Sequence, residues 1–581
     1  MSGICGFVGP AEPGVLHAML AAIDYRGDTS DTAVEGKVGL GHRYWKQRPG
    51  KAAGVHREGV LLSVCAGTLA PPHASPAAEL LRLLRLGGDS LGTLDGAFAG
   101  ALWDGTGQRL TLIRDPFGVR SLYYTEQAGV FYFASELKQL LAIPGLRVEV
   151  DLAALHKYLT FSFVPGEDVP IRGIKRLLPG RVAVRESGRL TVTPYFTLRE
   201  TLDPELTEPQ AAGRRVRELW REAVRKRLLG ETEVGLYLSG GIDSSGVGLW
   251  LREEGMATQA FTLDFGAKSV EREEAQMVAK SLGLPLEFVP VGGADLVPVL
   301  ADLVWKLDLP FGDPVTGPQY LLGQAARARG LTAVFNGEGG DQLFGGWTSK
   351  PMIAASVYAD LYGEDTDEEM YLRSYHRFYG LEDKLYTADF RAQVGGPGQR
   401  RALLAPYLGT SDGAFLNRVR LADISLKGSQ SILPRAERMA NAWGLDVRVP
   451  LFDRALAEAS FTLPPRLKIH GATEKYLLKR ILSRHLPDEI VWRRKYGMSV
   501  PITDWVLGPL AATVESLLGP ASLGRRGYFR SEYVDGLRRG ENDAHETRNR
   551  RLGERLWTLV MLEAWLRIFV DGRGRKPGGL T

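Results

Sequence analysis

The sequence predicts an α/β protein in two parts, a β-rich first part and then a parallel sheet with helical additions. Three observations predict it. Up to about residue 196, short apolar runs such as Val60–Val64, Leu110–Ile113 and Val130–Ala134 are separated by Gly and Pro turn signals. Beyond about residue 210, apolar strand-like runs alternate with segments of helical periodicity, which is the pattern of a parallel sheet with right-handed crossovers. From about Ile353 onward the pattern is mostly helical.

Tyr195-Phe196 closes the first part, and the polar stretch Thr201–Gln210, with two prolines, reads as a linker. Val216, Leu219, Trp220, Ala223, Val224 and Leu228 then recur at helical spacing, and Gly230 suits a left-handed C-terminal cap. Strand Val234–Leu238 leads through a Gly/Ser loop to an apolar helix near Val247–Leu251. Strand Phe261–Phe265, a helix from about Arg272 to Leu282, strand Leu286–Pro290, another helix and strand Thr332–Phe335 follow. The tail Asp571–Thr581 is rich in Gly and basic residues and is expected to be disordered. No internal repeat is present.

Composition narrows the function. The 581 residues carry 72 Lys and Arg against 68 Asp and Glu, a formal charge of +4. That imbalance is too small to make nucleic acid or an anionic membrane the main partner. With 44% hydrophobic and 24% charged residues the chain is an ordinary globular one and not a disordered one. There is no run of 18 apolar residues and no basic–apolar–small leader, so a cytoplasmic enzyme is expected. The two cysteines, Cys5 and Cys65, are too few for a disulfide framework or a Cys-based zinc site.

Ligands of parallel α/β sheets bind beyond the carboxyl ends of the strands, and two polar loops lie there. The first is Ser239-Gly240-Gly241-Ile242-Asp243-Ser244-Ser245, after Leu238. Small residues let the backbone close around a phosphate, and the next helix offers free N–H groups. Asp243 would repel a bare phosphate and makes sense chiefly as a magnesium ligand. The loop lacks the Gly-Lys-Ser/Thr ending of a P-loop. The plainer alternative is a strand-to-helix turn with an Asp cap. The second loop, Asn336-Gly337-Glu338-Gly339-Gly340-Asp341, puts two carboxylates among glycines: Asp341 can share a cation with Asp243, and Glu338 can act as a base or orient an amine. It also reads as an ordinary Gly-rich connection. Far downstream, Lys475 can deliver a point charge to a polyphosphate or a developing oxyanion, or simply lie on a solvated helix face.

Together these segments resemble the glutamine-dependent asparagine synthetase family, including its β-lactam synthetase and lasso-peptide cyclase relatives. Arg26-Gly27-Asp28, Gly39–Arg43, Leu94–Ala99, Arg114–Gly118, Phe133–Lys138 and Pro179-Gly180 carry the resemblance in the first part. The Ser239–Ser245 and Gly337–Gly346 loops, Arg438-Met439, Val447–Asp453, Lys475 and Lys495-Tyr496-Gly497-Met498 carry it in the second. The resemblance implies an N-terminal-nucleophile αββα glutaminase sandwich at 1–200 and an ATP-pyrophosphatase (HUP-like) parallel-sheet domain at 206–570, before the tail 571–581. It implies ATP and Mg2+ as cofactors. Ser239 to Ser244 would hold pyrophosphate, with Leu238, Ser245 and Gly337 completing the nucleotide site, and Asp243 and Asp341 would hold magnesium. Lys475 would stabilise charge at the reacting centre, Glu338 would assist the amine, and Asp313 would face the nucleotide or the acceptor.

The sequence departs from the family where glutamine would be hydrolysed. The family places a Cys directly after the initiator Met, and here Ser2 stands there. Tyr44 occupies the place of the Arg that grips the glutamine carboxylate, Cys65-Ala66-Gly67 that of Asn-Gly-Glu, and Ser75-Pro76 that of Ser-Asp. A shifted register, with Cys5 exposed by loss of a short leader, is the rival. In the second part Glu338 is kept where β-lactam synthetases have Tyr, while Gln342, Asn441 and Trp443 depart from the usual residues. The expectation is an AMP-forming amide ligase with a vestigial glutaminase, joining a small-molecule or peptide carboxylate to ammonia or a substrate amine. Aspartate to asparagine is the default, an intramolecular or peptide cyclase the runner-up, and a noncatalytic homologue the third reading. A homodimer is left open.

Overall fold

The structure is a computed structural model and describes residues 2–46, 54–86, 88–346, 366–396, 398–493, 499–541 and 550–580. Lys495–Met498 and the start of the expected helical region after Ile353 lie outside these residues.

Two six-stranded sheets build the first module. One contains β1 (Ser2–Val8), β2 (Thr29–Glu35), β3 (Val38–Tyr44), β8 (Tyr123–Gln127), β9 (Val130–Ala134) and β10 (Ile174–Arg176), in the order β10-β8-β9-β1-β3-β2. The other contains β4 (His56–Glu58), β5 (Leu61–Ala70), β6 (Asp95–Asp104), β7 (Arg109–Arg114), β11 (Arg181–Glu186) and β12 (Arg189–Pro194), in the order β12-β11-β7-β6-β5-β4. The neighbouring strands pair antiparallel, as in β1 with β3 and β5 with β6. Alternation sorts the side chains: Ile4 and Leu40 meet Leu62, Val64 and Ala101 between the sheets. The opposite faces are covered by helices, Val15–Ala21 against Cys5 and Pro76–Leu86 against Cys65. This is the expected αββα sandwich.

The linker is docked. Thr201 and Asp203 donate their backbone N–H groups to Phe461 and Thr462 of the second module, and the following helix runs Pro209–Arg225, starting at a proline whose missing N–H costs nothing at the first turn. The expected cap at Gly230 falls beyond the observed helix end. Gly230 does adopt positive φ (77°), but within the turns that lead into the next strand.

The second module is a five-stranded parallel sheet of β13 (Glu233–Tyr237), β14 (Ala257–Asp264), β15 (Leu286–Pro290), β16 (Ala333–Phe335) and β17 (Asp446–Arg448), ordered β15-β14-β13-β16-β17. The chain moves outward from β13 to β15, then returns to lay β16 on the other side of β13. The switch in direction therefore falls between β13 and β16, whose carboxyl ends carry the two loops singled out above. Strand β17 was not foreseen within the remainder expected to be mostly helical. Its backbone is captured by β16, with Val334 opposite Val447.

The tail also departs from expectation. Trp305 donates its indole N–H to the Gly574 carbonyl at 2.9 Å, Arg573 donates to the Leu146 carbonyl at 2.6 Å, and Arg567 donates to the Leu580 carbonyl at 2.7 Å. Gly-rich backbone lets side chains approach its carbonyls, so composition that reads as disorder is ordered by long-range donors. Among the described residues, no helix is long and apolar enough to cross a membrane.

Buried charges join the modules. Arg26 pairs with Glu136 and, at 2.7 Å, with Glu437. Arg120 reaches Glu437 at 2.8 Å and Asp446 at 2.7 Å, and Arg438 reaches Asp308 at 3.1 Å. Burial pushes the carboxyls of Glu136, Glu437 and Asp446 up, but the surrounding guanidinium and ammonium groups overcome it and hold all three below the usual range. A carboxyl depressed in the folded state contributes stability that is present above its unfolded pKa, about 4, and lost as pH falls. Denaturant midpoints are therefore expected to be level with respect to these groups from pH 8 to 5 and to drop below about pH 4. A midpoint unchanged down to pH 3 would contradict this.

Candidate active site

Strand β13 ends at Tyr237, and the chain turns through Ser239–Gly241 into the helix Ile242–Glu253. Gly240 sits at φ 68°, and an added Cβ would lie 2.6 Å from the backbone N of Ala275. Gly337, after β16, packs so closely that a Cβ would lie 2.4 Å from the Ser244 backbone N. Glycine at 337 lets the two loops press against each other at the switch point, and glycine at 240 lets the first loop press against the helix Arg272–Leu282. The Ser239 and Ser244 hydroxyls lie 3.1 Å apart, and Ser239 Oγ also accepts from the Gly241 N–H at 3.2 Å.

Above the loops is a cavity of about 350 Å³. Ser239, Gly241, Asp243, Ser244, Gly337, Glu338, Asp341 and Lys475 all line it. Lys475 comes from the far end of the chain, in a left-handed conformation (φ 51°) just before the helix Tyr476–Leu482. Such a conformation is costly for a residue with a Cβ and occurs where the surroundings demand it, often at functional sites. Its ammonium pairs with Asp243 and, at 2.6 Å, with Asp341. Burial pushes the ammonium pKa down, but the two carboxylates more than reverse this and hold it above the usual lysine range.

The remaining expected residues fall in supporting places. Leu238 is buried under the loop, and Ser245 is spent on a 2.8 Å bond to the Gly241 carbonyl. Gly240 presents its carbonyl to Arg493 at 3.0 Å. Asp313 stands beside the cavity and pairs with Arg435. Arg435 also binds Glu338 at 3.1 Å and Gln319 at 3.0 Å, and so fixes the carboxylate assigned to the amine. Arg435, Lys427, Gln319, Glu474 and Arg493 line the cavity without having been singled out as site residues. Arg435 lies a few residues before Asn441 and Trp443, two of the departures noted above, but nothing in its spacing reveals that it faces Glu338.

The residues present fit a magnesium ion held with a polyphosphate. Among the described residues Asp243 Oδ1 is buried without a hydrogen-bond partner, and Asp341 faces the same ammonium. No group of three His, Cys, Asp or Glu able to hold a metal occurs among the described residues. Mg2+ is commonly bound by one or two carboxylates, with phosphate oxygens and water completing its six positions.

At the other site, Ser2 is buried in β1, its Oγ accepting from the Gly67 N–H at 3.2 Å. Tyr44 lies opposite Ser2 in the strand register, half-buried, and its hydroxyl pKa is raised, chiefly by burial. Cys65 belongs to the layer under the helix Pro76–Leu86, with its thiol pushed up to about 12 by burial, and Pro76 is the buried first residue of that helix. Cys5 also faces an outer helix layer and is fully buried, and burial raises its thiol pKa far. Ser2 and Cys5 are three residues apart on one strand, so their side chains leave on opposite faces. In the full chain Cys5 therefore faces away from Ser2.

An antiparallel amidotransferase-like sandwich joined to a parallel-sheet module with its cavity at the switch point defines a two-module synthetase, a ligase fold. The asparagine synthase profile matches residues 215–567, more than half of the chain, and the glutamine amidotransferase domain profile matches residues 77–196. The chain belongs to the asparagine synthase family. It is 27% identical over 507 residues to asparagine synthetase [glutamine-hydrolyzing] 1 of Bacillus subtilis, covering 83% of this chain and 78% of that one. It is 29% identical over 522 residues to a putative asparagine synthetase [glutamine-hydrolyzing] of Mycobacterium tuberculosis, covering 84% and 78%. With amidase chyE of Penicillium rubens it shares 26% identity over 490 residues, covering 73% and 72%.

Proposed function

We propose that this protein is an ATP-dependent, AMP-forming amide ligase that takes its nitrogen from free ammonia or a substrate amine. The observation that carries the reading is Lys475 held between Asp243 and Asp341 over the Ser239–Ser244 loop. A substrate carboxylate oxygen attacks the α-phosphorus of ATP, the bond to the β-phosphate oxygen breaks, and pyrophosphate leaves. An amine then attacks the acyl carbon, loses a proton, and AMP departs. Ser239, Ser244 and the free N–H groups opening the helix Ile242–Glu253 bind the pyrophosphate. Asp243 and Asp341 would hold magnesium, whose charge offsets that of the phosphates. Lys475 follows the charge that develops at the α-phosphate, and Glu338, oriented by Arg435, takes up the amine's proton.

The acid is aspartate by family default. An amine carried on the substrate itself, as in an intramolecular or peptide cyclisation, is the second reading. It is favoured by the replacement of the glutamine-site residues at Ser2, Tyr44 and Pro76. The testing experiment is pyrophosphate exchange over amino acids, carboxylated metabolites and peptides, with ammonia and without. AMP and pyrophosphate from none of them would defeat the reading.

Two further outcomes are expected. Lys475→Ala lowers turnover by about 10²-fold or more while the Kd for ATP moves only a few-fold. A loss confined to ATP affinity would remove Lys475 from the reacting centre. Ser2→Ala leaves ammonia-dependent AMP formation unchanged, because its hydroxyl touches only the Gly67 N–H. Glutamine-dependent glutamate release that matches AMP formation and disappears in Ser2→Ala would refute the vestigial glutaminase.

A further inference from the structure

One residue of the cavity lining, Lys427, comes from a π-helix, Asp423–Ile432. The Leu433 N–H donates to the Gly428 carbonyl five residues back, and Ser429 and Gln430 add side-chain bonds to the Ile424 and Ser425 carbonyls at 2.7 and 2.8 Å. Irregular turns of this kind are uncommon and often occur at functional sites. The helix separates two cavities. Lys427 lines the one described above, while Ser425, Ser429 and Gln430 line a second on its other side.

Most of the cations lining the first cavity are held by carboxylates. Lys475 is held by Asp243 and Asp341, and Arg435 by Asp313 and Glu338. Lys479 lies 3.6 Å from Glu474, and Arg493 lies 3.5 Å from Glu274. Among the described residues Lys427 has no carboxylate within ion-pair distance, and its ammonium stands 6.0 Å from the Tyr375 ring centroid. It is half-buried, on the side of the cavity where Asp313 feels its charge along with those of Arg435 and Arg377. A cation held in a partly desolvated cavity without a counter-ion is favourably placed for an anion that arrives with the ligand.

We infer that Lys427 is a specificity-determining residue that grips a second, non-reacting anionic group of the acid substrate. The inference rests on the ligase reading for the identity of the cavity and adds to it the residue that recognises the carboxylate not activated by ATP. The reacting carboxylate turns to the nucleotide at the Ser239 loop and Lys475, and the second is held from the π-helix. Acids with one carboxylate leave the Lys427 ammonium without a partner and bind weakly.

Calorimetry on the full chain tests this, with Mg2+ and α,β-methylene-ATP present so that no adenylate forms. The probes are matched acids, aspartate against β-alanine and glutamate against 4-aminobutyrate. The diacid of at least one pair is expected to bind about 10-fold or more tighter than its partner. Lys427→Gln is expected to bring the two within about twofold, and Lys427→Arg to keep part of the preference. The Kd of the nucleotide is expected to stay unchanged in both variants. Equal binding of diacid and monoacid, no diacid binding, or a preference that survives Lys427→Gln would overturn the inference. So would a loss confined to the nucleotide, which would make Lys427 a phosphate contact. If no acid yields AMP with ATP while Lys427→Gln still abolishes a diacid preference, the ligase reading falls and the role of Lys427 stands.

Discussion

Asp243→Asn and Asp341→Asn are each expected to lower AMP formation by about two decades or more. A metal ion supplies several kcal/mol of charge stabilisation to a phosphoryl centre, and each 1.36 kcal/mol is tenfold in rate. Among the described residues Asp243 and Asp341 are the two carboxylates proposed to hold the cation, so neither loss has a spare. Asparagine preserves shape and removes charge, and it also leaves the buried Lys475 ammonium with one partner in place of two. That ammonium then lies nearer the remaining carboxylate and competes with the metal for it. The Mg2+ dependence of the residual rate is therefore expected to shift to higher concentration in both variants. The double variant is expected to lose much less than the product of the two single losses, because both act on one cation. Steady-state AMP release across a magnesium titration reads all three results. Normal turnover in either single variant, with the melting midpoint of the parent, would sink the assignment of the pair to magnesium.

Both loops of this site were legible in the sequence because their grammar is local. An apolar run stops, small residues turn the chain, and a helical period begins; Ser239–Ser245 and Asn336–Asp341 do this within a few residues of their strands. Lys475 was legible only through the family resemblance, since its own surroundings read more readily as a solvated helix face. Arg435 and Lys427 were not legible as site residues. They reach the cavity from elements about a hundred residues after β16, and what makes them functional is whom they face. Strand β17 was hidden for a related reason. Its three residues, Asp446-Val447-Arg448, have no room for a period, and two are charged. Their backbone is held by β16, while Asp446 and Arg448 are neutralised by partners distant in sequence, Arg120 and Glu231. The cysteines show what a register argument adds. Sequence spacing kept Cys5 as a rival to Ser2 in a shifted register, and in the full chain the alternation of β1 puts it on the face opposite Ser2.

Glu437→Gln is expected to cost about 3–5 kcal/mol of stability, the largest effect of a single substitution outside the cavity. Its carboxylate takes Arg26 at 2.7 Å and Arg120 at 2.8 Å, both from the first module, and all three side chains are almost fully buried. Removing the charge leaves two desolvated guanidiniums sharing fewer anions, and the desolvation of each was already complete. Arg26 keeps Glu136 and Arg120 keeps Asp446, so the modules are expected to loosen at their interface before either sheet unfolds. The same helix, Leu433–Asn441, carries Arg435, two residues before Glu437, and Arg435 orients Glu338 in the cavity. A weakened anchor is therefore expected to reduce the amide-forming step more than adenylate formation, which depends on the Ser239 loop and the aspartates. Denaturant unfolding followed by tryptophan fluorescence reads the stability, and pyrophosphate exchange against product formation separates the two half-reactions. The variant Arg26→Gln/Glu437→Gln is expected to lose well under the sum of the two single losses, since both break one pair. Strict additivity, or an intact interface in Glu437→Gln, would mean that the sandwich is held by its apolar contacts. The arginines of the first module would then have no part in positioning the synthetase helix.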